Sequence, residues 1–94
     1  MIEAVAKLAG GISDTEIAHH NLPLKFVDDF LRMNLFPNNP IYGSVWDKAM
    51  HAAKSYEINV AWQRWLRANG GATAAEALTY ARQLAAKYGL TIYF

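Results

Sequence analysis

Apolar residues recur along this chain mostly at helical spacing, broken by stretches in which neither a helical nor a strand period holds. Ile2, Val5, Leu8 and Ala9 share one face of a short helix that Gly10-Gly11 ends. From Ile12 to His20 two readings stand open. Ser13-x-x-Glu16 has the form of a capping box, and Thr15 to His20 has that of a short strand. Asn21 predicts an N-cap, with Pro23 near the first turn of a helix whose apolar stripe is Val27, Phe30 and Leu31. Asp28, Asp29 and Arg32 face outward from it.

Between Asn34 and Gly43 the text "NLFPNNPIYG" excludes regular helix and predicts a loop with at most a short extended piece. Ser44-x-x-Asp47 forms a second capping-box pattern, from which Val45, Trp46, Ala49 and Met50 continue as a helix. Lys54-Ser55 marks a break. Beyond it Ile58, Ala61, Trp62, Trp65 and Leu66 keep helical spacing until Asn69-Gly70-Gly71. Thr73-x-x-Glu76 caps a last helix with Ala77, Leu78, Ala81, Leu84, Ala85 and Tyr88 on its inner face. Gly89 ends that helix, and "TIYF" predicts a terminal strand.

The length of 94 residues suits one domain, 1–94, and 53% hydrophobic against 18% charged residues is a globular composition. There is no cysteine, which removes disulfides and thiolate metal sites. No apolar run approaches the roughly 20 residues of a membrane span, and the N-terminus lacks the basic and apolar blocks of a signal peptide. It opens on an amphipathic helix in mid-course, which leads us to expect a domain cut from a longer protein. A net charge of +1 neither supports nor excludes a nucleic-acid partner.

The chemistry concentrates in three histidines, two of them adjacent in "AHHNLP". Asp47 and His51 stand four apart on the expected helix, so both would project from one face, as two ligands for one metal ion do. The remaining histidine supply is His19 or His20. Three ligands of nitrogen and oxygen type leave positions open for water or substrate. A neighbouring histidine is then free to act as a base, since an unperturbed imidazole titrates near pH ~6.5.

"AHH" followed by x-x-Pro, an Asn-containing loop and a helix with two candidate ligands resembles the His-Me finger nucleases, the HNH and endonuclease VII superfamily. The likeness is to their AHH-type modules, the C-terminal toxin domains of bacterial polymorphic toxins. Asn59-Val60-Ala61-Trp62 with Trp65 is similar to the W-N-x-x-W-x-x-F stretch of some of these toxins, Ile58 standing at the first Trp. The likeness covers 18–94, leaving 1–17 as an N-terminal extension. It implies an α+β, mostly helical fold with a small ββα-metal core and added helices.

The resemblance also implies roles. His19 would be a metal ligand, His20 the general base, and Asp47 and His51 the helix ligands, with Asp47 standing where relatives often carry histidine. The asparagine that orients the base would be Asn38 or Asn39, with Asn39 preferred. One divalent ion is implied, Mg2+ or Mn2+ because Asp47 is an oxygen donor, with Zn2+ or Ni2+ as second choice. The implied reaction is metal-dependent hydrolysis of phosphodiester bonds, in DNA before RNA. A cognate immunity protein would be the partner, and delivery into a target cell would be as part of a larger secreted protein. By their position near these residues Lys25, Lys48 and Lys54 would line a phosphate track, although a solvated helix face would look the same.

Each residue has a plainer reading beside this one. Asp47 is an ordinary capping acid after Ser44, Asn39 in "NNP" a turn former, and Trp62 and Trp65 core residues. His51 could bond a backbone group. A different class of function, a small helical interaction module with the aromatics as core or docking face, would not need His19, Asp47 and His51 to converge.

Overall fold

The computed structural model describes residues 10–94, so the helix expected over Ile2–Ala9 lies outside it. Strand β1 (Glu16–His20) leads through a 3-10 turn at Leu24–Phe26 into helix α1 (Val27–Arg32). A second 3-10 turn (Pro40–Tyr42) precedes strand β2 (Gly43–Asp47), which runs directly into α2 (Lys48–Ala68). α3 (Ala74–Lys87) follows. The two strands pair antiparallel, with Glu16 opposite Asp47, Ala18 opposite Val45 and His19 opposite Ser44. The fold is α+β, a two-stranded sheet and three helices among the described residues.

Neither Ser13 nor Ser44 opens a helix, and both capping-box patterns run into or lie in strands. Ser13 does bond Glu16 (backbone N–H to Oε1, 3.0 Å), yet no helix follows, and the chain extends into β1. Ser44 does not open a helix either. With Trp46 it points inward from β2, fully buried, while Asp47 takes the N-cap of α2. The helix from Lys48 runs unbroken for 21 residues, so the break expected at Lys54-Ser55 is absent, the Ser55 hydroxyl bonding the His51 carbonyl one turn back.

Asn21 is not a cap. It is buried, its side-chain amide donating to Ser44 Oγ at 2.8 Å, and Pro23 starts the following turn without a side-chain cap. On α1 only Phe30 of the expected stripe is buried, whereas Val27 and Leu31 are exposed. The end of α1 is closed by Asn34 at φ 62, with Leu35 N–H bonded to Phe30 C=O and Asn34 N–H to Leu31 C=O. That is a Schellman motif, and the Leu35 and Phe30 side chains are both buried.

The core lies between α2 and its neighbours. Ile58, Trp62 and Leu66 meet Ala77 and Ala81 of α3, with Leu22, Phe30, Leu35 and Trp46 completing the cluster. Trp62, wholly buried, stands edge-on to Phe30 at 5.1 Å and Tyr80 at 4.9 Å. α3 begins at the expected capping box, Thr73 and Glu76 bonding reciprocally, and ends before Gly89 at φ 67. Thr91–Phe94 is not a strand. It crosses beside β2, held by the Ser44 hydroxyl donating to Thr91 C=O at 2.5 Å and by Arg82 Nε donating to Phe94 C=O at 3.3 Å.

Candidate functional site

The end of β1 delivers the histidine pair to opposite faces of the ribbon, because strand side chains alternate. His19 faces inward and is buried, whereas His20 is partly open. His51, one turn into α2, leans on His19 with ring centroids 5.5 Å apart and planes at 73°. Trp46 closes the other side, edge-on to His19 at 5.1 Å and to His51 at 6.1 Å. Burial first, and the neighbouring His51 and His20 next, pull the His19 pKa down from 6.5 to about 4. At neutral pH its ring is therefore uncharged, the form that can donate a lone pair to a metal ion.

His20 Nε2 lies 3.1 Å from Asn38 Oδ1. An amide oxygen only accepts, so Nε2 is the donor in this contact. The asparagine beside His20 is thus Asn38, not the Asn39 preferred from the sequence. Asn39 Oδ1 accepts from Ile41 N–H at 3.1 Å and caps the Pro40–Tyr42 turn, so its amide is spent locally.

Asp47 is not brought to the histidines. Spacing by four unites two side chains only when both residues are helical, and Asp47 has extended torsions (φ −59, ψ 132) with Oδ1 accepting from Met50 N–H at 2.9 Å. It pairs across the sheet with Glu16, three positions along from His19 and on the opposite face. Among the described residues no three His, Cys, Asp or Glu side chains converge as a metal-binding group.

A cleft of about 210 Å3 opens over the histidines, lined by His19, His20, Pro23, Leu24, Lys25, His51, Ser55, Ile58 and Asn59. Of the three lysines expected along a phosphate track, Lys25 lines this cleft and Lys48 and Lys54 do not. Lys54 pairs with Glu57 at 3.6 Å. Ser55 and Asn59 also line the cleft, beyond the residues the motif points to. Their signal was present, since with His51 they recur at i, i+4 and i+8 and so share one helix face.

The chain matches no family model, no curated protein and no solved structure. Among the described residues no helix is long and apolar enough to cross a membrane.

Proposed function

We propose that this chain is a metal-dependent endonuclease of the His-Me finger type, acting on DNA before RNA, and the toxin part of a larger bacterial protein that has a cognate immunity partner. One observation carries the reading. Residues far apart in sequence, His19 and His51, meet ring to ring beside a third histidine held by an asparagine. The antiparallel strand pair running directly into the helix that carries His51 supports a ββα core.

His19 and His51 would hold a divalent ion through imidazole nitrogens, with water and a phosphate oxygen completing its coordination. With Asp47 engaged as a cap, the donor set is imidazole, which moves the metal preference from Mg2+ toward Mn2+, Zn2+ or Ni2+. A metal held there would polarise the phosphoryl oxygen and offset charge on the leaving group. His20 Nδ1 takes the proton from the attacking water, and Asn38 keeps the ring in the tautomer that allows it. Lys25, at the same cleft, offers its ammonium to a phosphate oxygen.

Incubation with supercoiled plasmid in Mn2+, Zn2+, Ni2+ or Mg2+, with and without EDTA, tests the reading. Metal-dependent nicking should fall by roughly 10²–10⁴-fold in a folded His20→Ala protein. Equal cleavage by the two proteins would remove only His20 as the base, whereas absence of metal-dependent cleavage of both plasmid and RNA would remove the nuclease reading. The interaction module would then stand, for which the exposed Val27 and Leu31 on α1 offer an apolar face.

A further inference from the structure

We infer that the cleft over the histidines receives a single unpaired nucleotide beside the cleaved bond, so that the substrate strand is read single-stranded. This inference rests on the nuclease reading above and names its substrate.

Charge points this way first. Duplexes are held chiefly by neutralising many phosphates, and this cleft presents one lysine, Lys25. Asp28 and Asp29 follow it on α1.

The lining provides another kind of contact. Leu24, a large aliphatic side chain that keeps 45% of its surface exposed, forms an apolar shelf beside the imidazoles, over the buried Pro23 and Ile58. A nucleobase offers such a shelf its flat apolar face only when it is unpaired and unstacked, which is how single strands are gripped. Size agrees. A cleft of about 210 Å3 has room for one base.

Asn59 then acquires a task. It sits eight residues beyond His51 on α2, roughly 12 Å along the helix, so its amide addresses the neighbouring base and not the reacting phosphate. A side-chain amide carries a donor and an acceptor in one plane and matches a base edge, including the Watson–Crick edge that pairing would hide. Asn59 is thereby the residue that sets base preference next to the cut.

Labelled oligonucleotides of one sequence, as single-stranded DNA, single-stranded RNA and their matched duplexes, test this. Binding is read by fluorescence anisotropy in EDTA and cleavage after adding Mn2+. Single strands should bind and be cut about tenfold better than duplexes. Their affinity should fall by less than about tenfold between 50 and 200 mM salt, as expected for few phosphate contacts. Leu24→Ala should weaken single-strand binding, and Asn59→Ala and Asn59→Gln should each change base preference beside the cut. The DNA and RNA arms separate the two sources of an unpaired strand. Duplex cleaved as well as or better than single strands, or single-strand binding indifferent to both positions, overturns the inference and leaves the nuclease standing. No cleavage of any of the four substrates overturns both.

Discussion

Ser44 stands directly opposite His19 in the antiparallel ladder, and its hydroxyl accepts from Asn21 while donating to the Thr91 carbonyl. The buried ligand candidate is thus fixed from behind by a bridge that ties the histidine strand to the C-terminal tail.

Ser44→Ala should strand the buried Asn21 amide and the Thr91 carbonyl together, costing about 1–3 kcal/mol. For a chain of this size that lowers Tm by several degrees in thermal unfolding followed by circular dichroism. Asn21→Ala in the same background should add less than it costs alone, because both changes remove one network. Strict additivity would mean that the bridge does not act as a unit.

Acid should destabilise the protein through His19. The folded chain keeps this ring neutral down to about pH 4, whereas the unfolded chain takes up the proton near 6.5. The unfolded state therefore binds more protons in that interval. Stability is full above pH 6.5 and declines as pH falls toward 4, by about 3 kcal/mol in total. Urea midpoints measured across pH 4–7 should show the slope, and His19→Gln should flatten it.

Asp47 separates a cap from a ligand. Asp47→Asn should retain both stability and activity, since the amide oxygen still accepts from the Met50 N–H. Asp47→Ala should lose about 1 kcal/mol with turnover intact. A nuclease that dies in Asp47→Asn while staying folded would return Asp47 to the metal.

Trp46 reports on the histidines it touches. A paramagnetic ion such as Ni2+ held between His19 and His51 should quench part of the tryptophan emission, and EDTA should restore it. The quenching should vanish in Trp46→Phe and require far more metal in His51→Ala. Quenching that persists unchanged in His51→Ala would place the ion elsewhere.

Gly89→Ala tests the end of α3. Nothing lies within 4 Å of the added carbon, so only the left-handed torsion of φ +67 opposes it. A loss of about 1–2 kcal/mol in chemical unfolding is expected, with no change at the cleft.

What could be read from the sequence depended on how local the determinants were. Thr73, Glu76 and Gly89 bracket α3 through contacts within a few residues, and periodicity alone revealed the second half of α2. Ser44-x-x-Asp47 misled because only its second half is a cap. The serine is consumed by Asn21 and Thr91, 23 and 47 residues away, partners that no window of sequence contains. The same misplacement put Asp47 on the histidine face, since four residues make one helical turn only inside a helix. The approach of His19 to His51 was expected from the motif, whereas Asn38 and Asn39 differed only in which one the Pro40 turn engaged.

The alanine face of α3 has a kinetic meaning. Ala77 and Ala81 are buried in the core shared with α2, yet they have no rotamers to freeze, so seating them there costs no side-chain entropy. The two helices are also consecutive, joined by a short turn, so little loop entropy stands against their docking. The strand pair must instead close a loop from His20 to Gly43. The helical hairpin is therefore expected to assemble early and the histidines to meet late. Pulsed amide exchange during refolding should show α3 protected before β1, and protection of β1 first would refute that order.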